Sequence, residues 1–301
     1  MISIIGTGKV GINLAAILAR MGLDDLMLYD IVESIPQGEA LDFMQSCHVN
    51  PQVKIRGTND ISEVKGSELV VVTAGMGRKP GMTRLDLMEK NHEIIEGIGR
   101  KIGKYAPDSI VIMVTNPMDV MTYFFQKASG IPKERVIGMG SLLDSCRFAY
   151  FTSEFLNVPR SEIKSLVMGE HGENMSPLFS HSFHKDKPLK ELFDEKTRQE
   201  LVERTIKGGK EVITLKGATC HAPASAIYAM VDCILKDRKK TLPVSCCLNG
   251  EYGYEGIYIG VPAVLGEKGV EKIVELDIDE EEKERFSRGA ENIKKAIQGK
   301  L

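Results

Sequence analysis

The chain has 301 residues, of which 39 are Lys or Arg and 42 are Asp or Glu, so its formal net charge is −3. A balance this close to neutral argues against a nucleic-acid-coating protein, a polybasic membrane binder and a strongly acidic halophilic surface. The length leads us to expect about two domains.

The cysteines indicate a reducing environment. They are Cys47, Cys146, Cys220, Cys233, Cys246 and Cys247. They show no CxxC pattern and no paired Cys/His spacing of the kind that binds zinc. We therefore predict free thiols, no metal site and a cytoplasmic location. The sequence contains no apolar run of the roughly 18–20 residues that span a bilayer, so we expect no membrane segment.

The first half of the chain alternates short apolar runs with segments of helical periodicity. Strands are predicted at residues 2–5, 25–29, 52–56, 69–73, 110–115 and 135–139, and helices at 10–21, 83–104 and 119–128. Strands that alternate with helices predict parallel pairing through right-handed crossovers. The expected fold is a doubly wound α/β sheet.

The second half mixes helices with short strands. Helices are predicted at residues 141–156, 199–215, 222–236 and after an N-cap at Asp279, and strands at 164–168, 242–248 and 258–265. The 199–215 helix contains the pair Gly208–Gly209, which could kink it. We place the domain boundary at residue 140, so that residues 1–140 form the doubly wound domain and residues 141–301 an α+β domain.

A glycine-rich turn follows the first predicted strand and opens the first predicted helix. Its residues are Gly6, Thr7, Gly8, Lys9, Val10 and Gly11, a GxGxxG pattern. In this context the glycines allow a tight turn, a close approach of a pyrophosphate and close packing of helix and strand. Asp30 ends the second predicted strand, where a carboxylate accepts hydrogen bonds from a ribose. These features predict a Rossmann-type dinucleotide site, and the absence of a following arginine favours NAD over NADP.

Four further segments carry a resemblance to a known family. They are TAGMGRKPGMTR at residues 73–84, VTNP at 114–117, LDSCR at 143–147 and GEHG at 169–172. In this order they resemble the lactate/malate dehydrogenase family, and the likeness extends along nearly the whole chain. The resemblance implies NAD-dependent hydride transfer to a 2-oxo acid.

The resemblance assigns a role to each segment. His171 would donate the proton to the substrate oxygen, and Asp144 would hold the imidazole and stabilise its charged form. Arg147 would bind the substrate carboxylate, and Arg84 would polarise the carbonyl. Asn116 would contact the substrate oxygen or the nicotinamide ribose, and the Asn116–Pro117 bond is expected to be cis. Asn91 and Val114 are expected to join Asn116 in binding the cofactor.

Arg78 bears on which 2-oxo acid is the substrate. In this loop, lactate-type members of the family tend to have glutamine and malate-type members have arginine. Oxaloacetate carries a second carboxylate that needs a counter-charge in a closed site, whereas an arginine facing the methyl group of pyruvate would have no partner. Arg78 therefore favours malate and oxaloacetate. Gly75, Gly77 and Gly81 suit a loop that closes over the substrate.

Other functions remain open at this point. The nearest is a lactate dehydrogenase or another 2-hydroxy-acid dehydrogenase. A non-catalytic NAD-binding protein would be favoured by loss of the His/Asp pair or of the arginines, and none of these is lost. An NAD- and metal-dependent glycosidase would need coherent metal ligands, and His181 and His184 would require a helix to present them together.

The resemblance also carries expectations about assembly and about one departure from the pattern. Relatives are oligomers, so we expect a homotetramer or homodimer, with a small dicarboxylate substrate and no nucleic acid as partner. Cys146 stands where the family usually has a small residue such as alanine. We expect it to be a buried thiol and not a nucleophile.

Overall fold

The computed structural model describes residues 1–77 and 84–299, with the backbone alone at residues 84–86. The chain divides into two compact units. Unit 1 comprises residues 1–139, 220–240 and 265–271, and unit 2 comprises residues 140–219, 241–264 and 272–301. Unit 1 therefore takes in two segments of the second half of the chain, which a single boundary at residue 140 leaves out.

Unit 1 is built on a parallel sheet. Its strands are β1 (Ile2–Ile5), β2 (Leu26–Tyr29), β3 (Ile55–Thr58), β4 (Leu69–Val72), β5 (Ile110–Met113) and β6 (Val136–Gly138). They lie in the order β3-β2-β1-β4-β5-β6, and every neighbouring pair is parallel. This is the strand order of a dinucleotide-binding Rossmann sheet, and it confirms the predicted fold. Strands β1, β2, β4 and β5 are buried along their whole length, as their continuous apolar runs predict.

Helices cover this sheet. They are α1 (Lys9–Met21), α2 (Ile35–Gln45), α3 (Arg84–Tyr105) and α4 (Met118–Ser129). Helix α1 ends at Gly22, whose φ of +67° places it in the left-handed region expected of a glycine C-cap. A fifth helix, His221–Leu235, comes from the second half of the chain and packs against α1.

Unit 2 begins with α5 (Ser141–Leu156), which coincides with its predicted range. Its further elements are β7 (Ile163–Lys164), β8 (Val167–Gly169), β9 (Met175–Pro177), β10 (Phe183–His184), β11 (Lys187–Pro188), α6 (Leu189–Leu192) and α7 (Glu195–Lys216), and the unit 1 helix His221–Leu235 is α8. The chain ends with β12 (Lys240–Asn249), β13 (Glu255–Gly266), β14 (Gly269–Ile273) and α9 (Glu280–Ile297).

The core of unit 2 is rich in aromatic side chains. Phe148 and Phe151 of α5 pack with Phe179, Phe193 and residues of α7 in one buried cluster. Short 3-10 turns at Ile61–Val64, Lys133–Arg135, Arg160–Glu162 and Glu251–Gly253 connect elements of the chain. No helix in the described ranges is long and apolar enough to cross a membrane.

Candidate active site

The glycine-rich turn of unit 1 has the conformation that its sequence predicts. Gly6 has a φ of +108°, and a Cβ atom there would lie 2.7 Å from the backbone nitrogen of Ala74. A Cβ at Gly11 would collide with the carbonyl oxygen of Gly6. Around Gly8, by contrast, a Cβ would meet nothing within 4 Å. Two glycines therefore serve packing, and the middle one borders open space at the N-terminus of α1, where Lys9 and Val10 begin the helix.

Asp30 is fixed to this turn by hydrogen bonds. The N–H and the hydroxyl of Thr7 donate to Oδ2 of Asp30 at 2.8 Å and 2.9 Å, and the N–H of Val32 donates to Oδ1 at 3.1 Å. Partial burial, which alone raises the pKa of a carboxyl, is outweighed by these donors, so the pKa of Asp30 lies below its usual value. An ionised carboxylate is a stronger acceptor for ribose hydroxyls than a neutral carboxyl group. The donor set and the open space at Gly8 fit a dinucleotide.

Asn91 of α3 forms hydrogen bonds to the segments that follow β4 and β5. Its side chain is buried, and Nδ2 donates to the carbonyl oxygen of Asn116 at 2.8 Å while Oδ1 accepts from the N–H of Met76 at 2.7 Å. The Asn116–Pro117 bond is cis, as expected, and the Asn116 side chain is exposed. Val114 continues β5 through a hydrogen bond to Val72. The glycine-rich turn, Asp30 and Asn116 thus follow carboxyl ends of strands, where ligands bind in such sheets, and the Asn91 side chain reaches two of these ends from α3.

The predicted catalytic residues of unit 2 meet at one carboxylate. Oδ2 of Asp144 lies 2.6 Å from Nδ1 of His171, and Oδ1 lies 3.0 Å from Nη1 of Arg147. The Asp144 side chain is 1% exposed, against 14% for His171 and 18% for Arg147. Burial of the shared carboxylate strengthens both interactions, because water does not screen them. The i,i+3 pair of α5 is therefore largely buried and is not a solvated surface ion pair.

Local structure sets this geometry. Asp144 and Arg147 lie one turn apart on α5, so that their side chains share a face. His171 lies two residues after β8, whose last residue, Gly169, has a φ of +90° that favours glycine. This turn directs the chain so that His171 meets Asp144.

Glu170 anchors the turn that carries His171, and sequence reasoning missed it. Its carboxylate accepts from Nδ2 of Asn174 and from Nδ2 of Asn292, each at 2.6 Å. Helix α9 approaches closely because residue 289 is glycine: a Cβ there would lie 3.1 Å from the backbone nitrogen of Glu170. Asn292 lies 122 residues away in sequence, so no local pattern indicates the contact.

Two predicted arginines cannot be placed from their side chains. Arg78, with Gly81, lies outside the described residues. Arg84 is the first residue of α3, and its side chain is outside the described atoms. The candidate residues with described side chains are therefore those at the strand ends of unit 1 and, separately, those around Asp144 in unit 2.

The expectation that Cys146 is a buried thiol is wrong, because the residue is exposed. It lies one turn before Tyr150, which is also exposed, on the face of α5 opposite the buried Asp144. The six cysteines, all within the described residues, are thiols that form no disulfide, as predicted.

The two histidines considered as metal ligands have other partners. His184 lies in strand β10, with Nε2 3.0 Å from Oε2 of Glu162. His181 contacts the hydroxyl of Ser180 through Nδ1. Within residues 1–77 and 84–299 no group of three or more His, Cys, Asp or Glu side chains is arranged to hold a metal ion.

Comparison with known proteins connects both units to one family. Residues 1–138 match the NAD binding domain of lactate/malate dehydrogenase, and residues 141–301 match the alpha/beta C-terminal domain of the same family. The chain is 45% identical over 299 residues to the malate dehydrogenase of Methanosarcina acetivorans, covering 98% of this chain and 97% of the relative. It is 42% identical to the malate dehydrogenase of Bacillus subtilis, covering 98% and 96%.

Solved structures agree with these sequence matches. The malate dehydrogenase of Aeropyrum pernix superposes with a TM-score of 0.96 at 40% identity, covering 99% of this chain and 98% of that one. A lactate dehydrogenase of Cryptosporidium parvum in complex with lactic acid and nicotinamide adenine dinucleotide has a TM-score of 0.94 at 35% identity, covering 99% and 96%. The chain belongs to the lactate/malate dehydrogenase family.

Proposed function

We propose that this chain is an NAD-dependent malate dehydrogenase that interconverts malate and oxaloacetate. The observation that carries the proposal is the buried carboxylate of Asp144, which contacts both His171 and Arg147. A proton donor and a carboxylate-binding cation are thereby held at one point, as reduction of a 2-oxo acid requires. The malate dehydrogenases that share 42–45% of its residues support the choice of substrate.

His171 is the proposed acid in oxaloacetate reduction and the base in malate oxidation. Its Nδ1 faces Asp144, so Nε2 is the ring nitrogen that exchanges a proton with the substrate oxygen. The anionic carboxylate stabilises the imidazolium that reduction consumes and oxidation forms. Histidine suits this reversible transfer because its unperturbed pKa lies near neutral pH.

The arginines are the proposed substrate anchors. Arg147 binds the carboxylate next to the reacting carbon through its planar fork. Arg84 polarises the carbonyl oxygen, Asn116 hydrogen-bonds to it, and Arg78 pairs with the second carboxylate of oxaloacetate. This last contact would distinguish oxaloacetate from pyruvate, which has a methyl group in its place.

NAD is the cofactor, and residues 1–140 are the proposed domain that holds it, with residues 141–301 as the catalytic domain. The residues proposed to bind it are Gly6, Thr7, Gly8, Lys9, Val10, Gly11, Asp30, Asn91, Val114 and Asn116. When bound, the reduced nicotinamide supplies the hydride. Asp30 orients the adenosine ribose, and the N-terminus of α1 binds the pyrophosphate.

A homotetramer or homodimer is the proposed assembly. Helix α2 exposes three large apolar side chains, Ile35 at 46%, Leu41 at 61% and Met44 at 48%, and exposed apolar surface of this kind marks protein contacts. Light scattering during size-exclusion chromatography tests this, and a mass of 33.2 kDa, that of one chain, would contradict it. The absence of disulfides among the six cysteines supports a cytoplasmic location. The proposed substrates, malate and oxaloacetate, support a role in the tricarboxylic acid cycle.

The residue roles are tested by His171→Asn and Arg147→Lys. His171→Asn is expected to lower kcat by about 10²–10⁴-fold with little change in the KM for NADH, because only proton transfer is lost. Arg147→Lys keeps the charge but removes the fork, and it is expected to raise the KM for oxaloacetate at least about tenfold. Wild-type values of kcat and KM in these variants would overturn the assignment.

A further inference from the structure

Helix α7 runs without interruption from Glu195 to Lys216, through Gly208 and Gly209. Two consecutive glycines in the middle of a helix are unfavourable, because glycine loses more backbone freedom on folding than alanine does. The pair therefore needs a reason in packing or function. Both glycines lie where α7 packs against α5.

The two glycines meet different side chains of α5. A Cβ atom at Gly208 would lie 2.9 Å from Cε2 and 3.1 Å from Cζ of Phe151, which is buried in the core of unit 2. A Cβ at Gly209 would lie 3.1 Å from Nη2, 3.3 Å from Cζ and 3.4 Å from Nη1 of Arg147. Gly208 thus makes room for a core ring, and Gly209 makes room for a guanidinium.

The guanidinium of Arg147 also forms an ion pair with Asp144. Its Nη1 lies 3.0 Å from Oδ1 of Asp144, and the Arg147 side chain is only 18% exposed. Arg147 therefore lies between the carboxylate of Asp144 and the bare backbone of α7 at Gly209. A methyl group at residue 209 would displace the guanidinium by a few tenths of an ångström, because the three contacts would be tighter than ordinary van der Waals distances.

We propose that Gly209 is a positioning residue for substrate binding, which sets the place of the Arg147 fork by leaving no side chain beneath it. This inference rests on the proposed role of Arg147 as the carboxylate anchor. A bidentate contact is sensitive to small displacements, since both N–H···O bonds must be aligned at once. Gly209 is therefore expected to affect affinity for the substrate and not affinity for the cofactor.

Gly209→Ala tests the proposal, with Gly97→Ala as its matched control. Gly97 also lies inside a helix, α3, but it is exposed and a Cβ there would meet nothing within 4 Å. Gly209→Ala is expected to raise the KM for oxaloacetate about tenfold and to leave the KM for NADH unchanged. Gly97→Ala is expected to change neither constant. Alanine has a higher helix propensity than glycine. The Tm of Gly209→Ala is therefore expected not to fall, although its affinity for oxaloacetate does.

A double-mutant cycle separates this inference from the proposed function. If the methyl group acts through the guanidinium, Gly209→Ala adds no further rise in the KM for oxaloacetate once Arg147 is lysine. An equal rise in both backgrounds would overturn the proposal. So would an unchanged KM in Gly209→Ala when Arg147→Lys alone raises it. An unchanged KM in Arg147→Lys would instead overturn the anchor role of Arg147, and this inference with it.

Discussion

Oδ2 of Asp144 lies 2.6 Å from Nδ1 of His171, and the carboxylate that makes this contact is almost completely buried. The second oxygen of the same carboxylate is occupied by Arg147. Rotation of the Asp144 side chain would break both contacts together. The imidazole ring is thereby held in one orientation, and the positions of the proposed proton donor and the proposed carboxylate anchor depend on one another.

Asp144→Asn is expected to lower kcat for oxaloacetate reduction by about 10²–10⁴-fold. The amide oxygen can still accept from Arg147, but the amide nitrogen then faces Nδ1 of His171. That nitrogen is a donor only, so it cannot accept a hydrogen bond from Nδ1–H and does not stabilise the imidazolium. Steady-state kinetics over pH 5 to 9 should show the loss. Activity within about threefold of wild type across this range would contradict the relay.

Glu170→Ala is expected to loosen the turn that carries His171. The variant leaves the amides of Asn174 and Asn292 without their shared acceptor, and we expect a loss of about 1–3 kcal/mol in the free energy of unfolding together with a lower kcat. Asn292→Ala removes only the contact to α9, so its effects should be smaller. Urea unfolding and steady-state kinetics measure both. Equal stability of Glu170→Ala and wild type would show that the anchor contributes nothing.

Asp30→Asn is expected to weaken the preference for NADH over NADPH. The asparagine oxygen can still accept from Thr7, so the glycine-rich turn should persist, but the charge that accepts ribose hydroxyls is lost. Since hydrogen bonds to a charged group contribute about 1.5–3 kcal/mol, the KM for NADH should rise at least about tenfold. The KM for oxaloacetate serves as internal control. An unchanged ratio of kcat/KM for the two cofactors would rule out the role of Asp30.

Asp279 is expected to make the stability of the protein depend on acid pH. Partial burial raises the pKa of this carboxyl, but the hydrogen bonds from Lys190 and from the N–H of Glu282 outweigh burial, so the pKa lies below its usual value. The ionised Asp279 therefore stabilises the folded state at pH values above the unfolded pKa of about 3.9. This stabilisation is lost as the pH falls through the folded pKa. Asparagine also caps helices well, so Asp279→Asn tests the charge alone.

The expected effect of Asp279→Asn is a loss of about 1 kcal/mol in the free energy of unfolding at pH 7, and a smaller loss near pH 2.5. Chemical denaturation at the two pH values measures it. A loss of equal size at both would attribute the effect to packing and not to ionisation.

Much of the fold follows from local patterns. Strand β1 and helix α5 coincide with their predicted ranges because each is bounded by glycine turns or by a clear change of periodicity. Strand β3 begins at Ile55, three residues after its predicted start. Residues 164–168, predicted as one strand, contain parts of two, β7 and β8.

Helix α2 was missed because its sequence opposes a helix locally. Gly38 lowers its helix propensity and the N-cap Ser34 makes no side-chain cap hydrogen bond, whereas Pro36 stands in the first turn, where proline is tolerated. Its packing against strand β3 stabilises it, and tertiary contacts of this kind leave little trace in a short sequence window.

The site divides in the same way. The Asp144–Arg147 spacing and the GxGxxG pattern are local, and sequence reasoning found both. The tie between Glu170 and Asn292, and the space that Gly209 leaves for Arg147, join segments that are distant along the chain. The sequence of the glycine pair indicates only a possible kink, because Arg147, which contacts Gly209, lies on another helix.

The proposed preference for oxaloacetate is tested most directly by NADH oxidation, followed by absorbance. Oxaloacetate and pyruvate are offered separately to the same preparation of the wild-type protein. The kcat/KM for oxaloacetate is expected to exceed that for pyruvate by at least about 10²-fold, since only oxaloacetate presents two carboxylates to the proposed arginines. Comparable or faster turnover of pyruvate would contradict the malate assignment and make this a lactate-type enzyme.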